Sequence, residues 1–260
     1  MMKAVKVRLA LIWVNIIVFG LMLIGQSGAK IDPKTIVGLW LFDEGKGDTA
    51  KDSSGNGNDG TLMNEPKWVD GIKKPSKALE FDGKDDYVIV HLGTALQSLS
   101  LEAWIYPTEG GIVFVEEGQQ ALDGGWYESQ MEILASGELK VGFWTGAEQG
   151  ISLGKFGFSE WYNVVMTYDK SKNSIKGYVN GELIESGTLV KLNPGDLWYA
   201  IGAHTATNLG DGTYFNGIID KTAVYNVALS AEDVKQNFQA ANSVFPSGKL
   251  TTTWGSVKSH

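Results

Sequence analysis

Four places in the sequence gather side chains with enough oxygen, charge or aromatic surface to do chemistry. The first is Asp52-Ser-Ser-Gly-Asn-Gly-Asn58. Asp52, Ser54, Asn56 and Gly57 stand at positions one, three, five and six of a calcium-loop pattern, and Asn58 adds its backbone carbonyl. Calcium takes about six to eight hard oxygens, and such loops supply them at alternate residues around a glycine bend. Position twelve is Met63, so the loop is not an EF-hand, and an ion would need a remote carboxylate. The same spacing equally suits a glycine- and asparagine-rich turn that holds no ion. The second place, Asp82, Asp85 and Asp86 around Gly83, reads as a turn opened by Asp82, with a second ion as the alternative.

The third place is Glu128-Ser-Gln-Met-Glu132. On a regular strand a spacing of four puts both glutamates on one face, about 13 Å apart, whereas a retaining glycosidase holds its carboxylates about 5 Å apart. Glu116 and Glu117 are consecutive and face opposite sides of a strand. No motif joins His204 to a nucleophile, and the expectation is a protein that is not an enzyme. The fourth place is aromatic. Trp126, Tyr127, Trp144, Trp198 and Tyr199 lie in or beside glycine-rich loops, and His204, Thr205, Thr207 and Asn208 form a polar run before Gly210. Exposed rings stack on the apolar face of a sugar while amides and carboxylates take its hydroxyls. Trp126, Tyr127, Trp144, Trp198, His204 and Asn208 are therefore the candidate ligand-binding residues. Core packing is the alternative for each ring.

These residues sit on short strands. Leu99, Leu101, Ala103 and Ile105 alternate with Ser100, Glu102 and Trp104, the two-residue period of a half-buried strand. Stretches 37–42, 78–81, 87–91, 111–115, 128–134, 138–144, 162–168, 175–180 and 215–224 read as further strands, rich in Val, Ile and aromatics. Asn180-Gly181 predicts a two-residue hairpin turn. One helix is expected over 231–241, capped by Ser230 with Asp233 three residues on, and docking through Val234 and Phe238. Short strands at short intervals predict an antiparallel sandwich.

Composition narrows the function. The 260 residues contain no cysteine, which removes disulfides, thiolate metal sites and cysteine nucleophiles. A net charge of -8 gives no footprint for nucleic acid. Lys3, Lys6 and Arg8 precede an apolar run over 9–25 and the small residues Ser27-Gly28-Ala29, the layout of a signal peptide cleaved after Ala29, with an uncleaved anchor as the alternative because the run is long for a signal peptide. The expected organisation is a signal peptide over 1–29, one folded domain over 30–241 and a polar tail over 242–260. The product is secreted, extracellular or periplasmic, with no membrane span after cleavage.

Four segments in order resemble the laminin G-like, concanavalin A-like jelly-roll family in its bacterial secreted branch. They are Gly38-Leu-Trp-Leu-Phe-Asp-Glu-Gly-Lys-Gly47 with Asp52 to Leu62; Ala78-Leu-Glu-Phe-Asp-Gly-Lys-Asp-Asp-Tyr-Val88; Trp161-Tyr-Asn-Val-Val-Met-Thr-Tyr-Asp169 with Gly177-Tyr-Val-Asn-Gly181; and Phe215-Asn-Gly-Ile-Ile-Asp220 leading to Tyr225-Asn-Val-Ala-Leu-Ser230. The resemblance implies an all-β, two-sheet antiparallel jelly roll with adjacent first and last strands, and a binding module more often than an enzyme. It places Trp40, Trp104 and Trp161 in sandwich packing. It also brings Asp220 near the 52–60 loop, so the candidate metal set is Asp52, Ser54, Asn56, Asn58 and Asp220, for a structural calcium ion. The sequence departs from the family after Asp220, where Lys221 and Ala223 replace the usual Glu and Arg. Glycans or cell-surface polymers are the expected partners, with protein adhesion or a matrix role second and a glycoside-active enzyme third.

Overall fold

In the computed structural model the chain is described over residues 31–93, 96–117, 127–144, 148–189, 198–203 and 214–242, with backbone alone at 127–129, 144, 148, 149 and 242. A 3₁₀ turn over Pro33–Thr35 leads into sixteen strands. They are β1 (Ile36–Trp40), β2 (Thr49–Ala50), β3 (Gly60–Met63), β4 (Lys67–Asp70), β5 (Lys77–Asp82), β6 (Tyr87–His91), β7 (Leu99–Pro107), β8 (Gly111–Glu117), β9 (Tyr127–Ile133), β10 (Glu138–Trp144), β11 (Glu148–Lys155), β12 (Tyr162–Asp169), β13 (Ser174–Val179), β14 (Glu182–Thr188), β15 (Trp198–Ile201) and β16 (Asn216–Tyr225). One helix, α1 (Ala231–Asn242), follows.

The strands make two antiparallel sheets. One has the order β14-β13-β12-β7-β16-β5-β4, with β1 also paired to β16; the other runs β11-β10-β9-β8-β15-β6-β3-β2. The first and last strands are neighbours, Gly38 against Val224 and Trp40 against Thr222. Residues of alternate parity from both sheets fill the space between them, among them Trp40, Phe81, Leu101, Phe114, Met131, Phe143, Tyr168, Tyr199 and Ile219. Trp40 thus packs the sandwich, as expected. This is the jelly-roll sandwich.

The alternation in β7 is real, yet the strand is not half-buried: Ser100, Glu102 and Trp104 are as buried as their neighbours. Helix α1 covers that outer face. Val234 joins a second apolar cluster with Leu39, Val165, Tyr178, Ala223 and Tyr225, and Phe238 stacks on Trp104 with centroids 5.6 Å apart. The cap works in both directions, since Asp233 N–H donates to Ser230 Oγ while Ser230 N–H donates to Asp233 Oδ2. Polar residues on the covered face satisfy one another. Asn163 Nδ2, Tyr225 OH and Asn237 Nδ2 all donate to the Glu102 carboxylate, at 2.9, 3.1 and 3.0 Å. Burial pushes this carboxyl group up, opposed by those donors and by the charge of Lys221.

Candidate functional site

The outer face of the second sheet brings several of the candidate residues together. Strand β6 ends at His91, β8 ends at Glu117, β9 begins at Tyr127 and β15 begins at Trp198. These four strands are adjacent in the order β9-β8-β15-β6, and their terminal residues fall in one register row: Tyr127 opposite Glu117, Glu117 opposite Trp198, Trp198 opposite His91. Trp198 and His91 stack with ring centroids 4.3 Å apart and planes 25° from parallel. Trp198 rests on an apolar patch formed by Ile89, Ile112, Val115 and Ala200 of the same face. His91 is exposed, Trp198 half-buried, and Glu117 only 2% exposed. The row thus offers paired rings beside a desolvated carboxylate. Trp144, the last residue of β10, lies at this same end of the sheet, because β10 runs antiparallel to β9.

Two compensating bulges build the row. Ile112 pairs with Glu132 and Phe114 with Met131, which leaves Val113 extra on β8; Val115 then pairs with Ser129, which leaves Gln130 extra on β9. A bulge shifts the face parity of everything beyond it. Tyr127 consequently takes an outer-face register position beside Glu117. The same shift corrects the expectation for the third sequence motif. Glu128 pairs with Glu116, which sits in the sandwich interior and accepts from Gln130 Nε2 and, at 3.1 Å, from Tyr199 OH. Glu132 pairs with outer-face Ile112 and with Lys140. The two glutamates take register positions of opposite parity.

The candidate aromatics therefore separate. Tyr127, Trp144 and Trp198 come to one end of one sheet. Tyr199, one residue past Trp198, is fully buried in the core. Trp126, His204 and Asn208 lie outside the described residues. His91 and Glu117, which share this row, were not among the residues that the sequence reading named. Their only local signal was a terminal position on an apolar strand, and the pairing that unites them is long-range.

The 52–58 loop is tied to β1 by hydrogen bonds. A carboxylate offers about four lone-pair directions, and Asp52 uses four. Oδ1 accepts from Leu39 N–H at 3.0 Å and Ser54 N–H at 2.8 Å; Oδ2 accepts from Ser54 Oγ at 2.8 Å and Asn58 N–H at 3.0 Å. Asn58 spends its carbonyl on Trp40 Nε1 and its amide on Val37 O, while Asn56 Nδ2 donates to Ile36 O. The loop is a polar staple on β1. Asp220 is engaged elsewhere: its Oδ2 accepts from Ile72 N–H at 2.8 Å in the β4–β5 connection, and Lys221 Nζ lies 3.5 Å from Oδ1. Burial raises the Asp220 carboxyl above its ordinary value, against the pull of Lys221. Asp52 thus ties the loop to β1, and Asp220 ties β16 to the β4–β5 connection.

Asp82, Asp85 and Asp86 do converge, with ligand oxygens within 4.8 Å of one another at the β5–β6 turn. The turn reading accounts for much of this cluster. Asp82 Oδ1 accepts from Lys84 N–H, which holds that carboxyl low, and Asp86 Oδ2 accepts from Asp82 N–H. Burial and the neighbouring carboxylates push Asp86 up.

Residues 82–235, more than half of the sequence, match the family model of the concanavalin A-like lectin/glucanases superfamily, laminin G type. The chain belongs to this superfamily. Among curated proteins no sequence matches it. Solved structures with this laminin G-like fold include domain 4 of AbnA, a GH43 extracellular arabinanase from Geobacillus stearothermophilus, in complex with arabinotriose. It is 19% identical, with a TM-score of 0.60, over 78% of this chain and 97% of that one. The binding domain of Paraclostridial Mosquitocidal Protein 1 is 18% identical, with a TM-score of 0.61, over 81% and 53%. A botulinum neurotoxin type C structure, described as dependent on two ganglioside molecules for cell entry, is 16% identical, with a TM-score of 0.59, over 81% and 52%. The chain spans about half the length of these two toxin chains. In this laminin G-like chain the departure at Lys221 has a structural use: its ammonium lies 5.4 Å over the Trp104 ring, above the buried Glu102 network.

Proposed function

We propose that the chain is an exported, non-catalytic module that binds glycan across the row His91, Trp198, Glu117 and Tyr127. The observation that carries this reading is that row: stacked rings and a desolvated carboxylate brought side by side where four strands end together. Stacking supplies affinity for the apolar face of a sugar. The arabinanase domain with bound arabinotriose and the ganglioside-dependent toxin, both of this fold, support it. The opposite register parity of Glu128 and Glu132 supports the non-catalytic part. Export rests on the leader-like residues 1–29; among the described residues no helix is long and apolar enough to cross a membrane. A structural calcium ion at Asp52, Ser54 and Asn56 is left to the melting test below, since Asp52 already accepts four hydrogen bonds without one.

The test is a glycan array followed by titration of the hits. Trp198→Ala, with an unchanged melting profile, should weaken binding by about tenfold or more, the scale of one lost aromatic platform. Binding that survives Trp198→Ala and His91→Ala at full strength would move the site elsewhere. Protein adhesion is the second reading. Leu183 and Ile184 are exposed at 48% and 44% on β14, an edge strand, and a botulinum neurotoxin DC binding domain of this fold was solved with rat synaptotagmin II.

A further inference from the structure

We propose that residues 249–254 of the chain's own tail pair with the free edge of β14 and extend the first sheet by one strand. Among the described residues β14 ends that sheet and pairs on one side, with β13. Ser186 N–H donates to the side chain of the preceding Glu185, at 2.8 Å. Leu183 and Ile184 of this strand are the two large hydrophobic side chains that stand exposed among the described residues, at 48% and 44%. An edge with open backbone groups and apolar side chains is a template for another strand. The tail beyond α1 lies outside the described residues, and its sequence supplies such a strand. Lys249-Leu-Thr-Thr-Thr-Trp254 is β-branched and aromatic after its lysine and Leu250, and Gly248 and Gly255 bound it. The charges match. Strand β14 carries Glu182 and Glu185 and no base, whereas 243–260 carries Lys249 and Lys258 and no acid. The β14 of a second copy would bring two more glutamates instead. The tether also reaches. Helix α1 touches the β13–β14 hairpin, with Lys235 Nζ 3.7 Å from Glu182 Oε1 and Phe238 packed over Gly181. From Phe238 to the end of α1 at Asn242 the helix rises only about 6 Å, and residues 243–248 span up to about 20 Å. So short a tether holds the tail at an effective concentration of about millimolar, which favours it over a second copy's tail. A protein partner at β14 then has to displace the tail.

The experiment is residue-resolved amide hydrogen exchange on the chain and two variants, at several protein concentrations, with molecular mass followed by sedimentation. In the wild type, amides of 250–254 and the amide of Ser186 should exchange at least about tenfold more slowly than in unpaired peptides of the same sequence. Thr252→Pro with Thr253→Pro removes a tail donor of either parity, and should speed Ser186 exchange by at least about tenfold while β7 and β12 stay protected. Leu183→Asp with Ile184→Asp alters two exposed side chains of β14, and should speed exchange of 250–254 by a similar factor with β7 and β12 again protected. Protection should not depend on concentration. Fast exchange of 250–254 in the wild type overturns the inference. So does a proline variant that leaves Ser186 unchanged, or a tail that stays protected in the β14 variant and is therefore docked elsewhere. Protection that appears only as dimer forms gives the edge to a second copy's tail and overturns the pairing within one chain.

Discussion

Glu102 and Asp52 show how one carboxylate acquires its role from the donors around it. Glu102 is buried beneath α1 and accepts from Asn163, Tyr225 and Asn237. Glu102→Leu strands those donors and should cost about 3 kcal/mol or more. Glu102→Gln keeps one acceptor, and a rotated Asn163 amide can accept from the new NH₂, so the cost at neutral pH should stay near 1 kcal/mol. The pH dependence has a definite sign. The folded carboxyl is raised, so the folded state holds its proton more tightly than the unfolded chain. Its contribution to stability is greatest at low pH and is lost as pH rises from the unfolded value through the raised one. The melting temperature of wild type relative to Glu102→Gln should therefore fall as pH rises above about 4, and a flat difference would show that burial does not raise this group. Asp52→Ala removes the acceptor for four donors and should cost about 2 kcal/mol, or about 4–8 °C in melting temperature. That loss should be the same in millimolar calcium and in chelator, because the staple works without an ion.

At the scale of elements, close backbone approach decides which glycines are replaceable. Gly217 in β16 has φ +140°, and a Cβ there would overlap the Tyr106 carbonyl oxygen and lie 2.9 Å from Pro107 Cα. Gly217→Ala should cost about 2–5 kcal/mol from strain and overlap together. Gly55, in the polar staple, has φ +90° but open space around it. Gly55→Ala should cost only the backbone strain, about 1 kcal/mol. Denaturant melts of the two variants give the ranking directly, and equal losses would contradict the close approach at Gly217.

For the whole molecule, export and ion dependence are the open questions with direct readouts. The chain recovered from the medium or periplasm of its own host should begin at Lys30 by intact mass; retention of residues 1–29 would make the segment an anchor. Wild-type melting should coincide in excess calcium and in chelator. A specific ion would instead add RT ln(1 + [Ca²⁺]/Kd), about 4 kcal/mol for millimolar calcium over a micromolar site. Stabilisation of that size, abolished by Asp85→Asn, would place an ion at the Asp82–Asp86 turn.

Local pattern in the sequence was enough for the all-β class, most of the long strands, the capped helix and the family resemblance, because alternation, turn residues and helix caps are set within a few neighbours. Strand β14 was implied only by the Asn180-Gly181 hairpin turn, and strands β2, β3, β4, β11 and β15 escaped local pattern, being short or broken by glycine. So did the burial of both faces of β7, which depends on a helix about 130 residues further along the chain. Spacing alone proposed Asp52, Ser54, Asn56 and Asn58 for an ion or a plain turn; only the tertiary structure shows the β1 backbone groups that Asp52, Asn56 and Asn58 engage. Spacing also put Glu128 and Glu132 on one face, and two bulges undid it. Trp198 and Tyr199 look alike in sequence, yet one faces outward and the other fills the core, because a single residue of phase sends neighbours to opposite sides of a sheet. The row that joins His91, Trp198, Glu117 and Tyr127 was invisible for the same reason. Its members are united by register across strands far apart in sequence, and register is set by burying the whole sheet rather than by any segment of it.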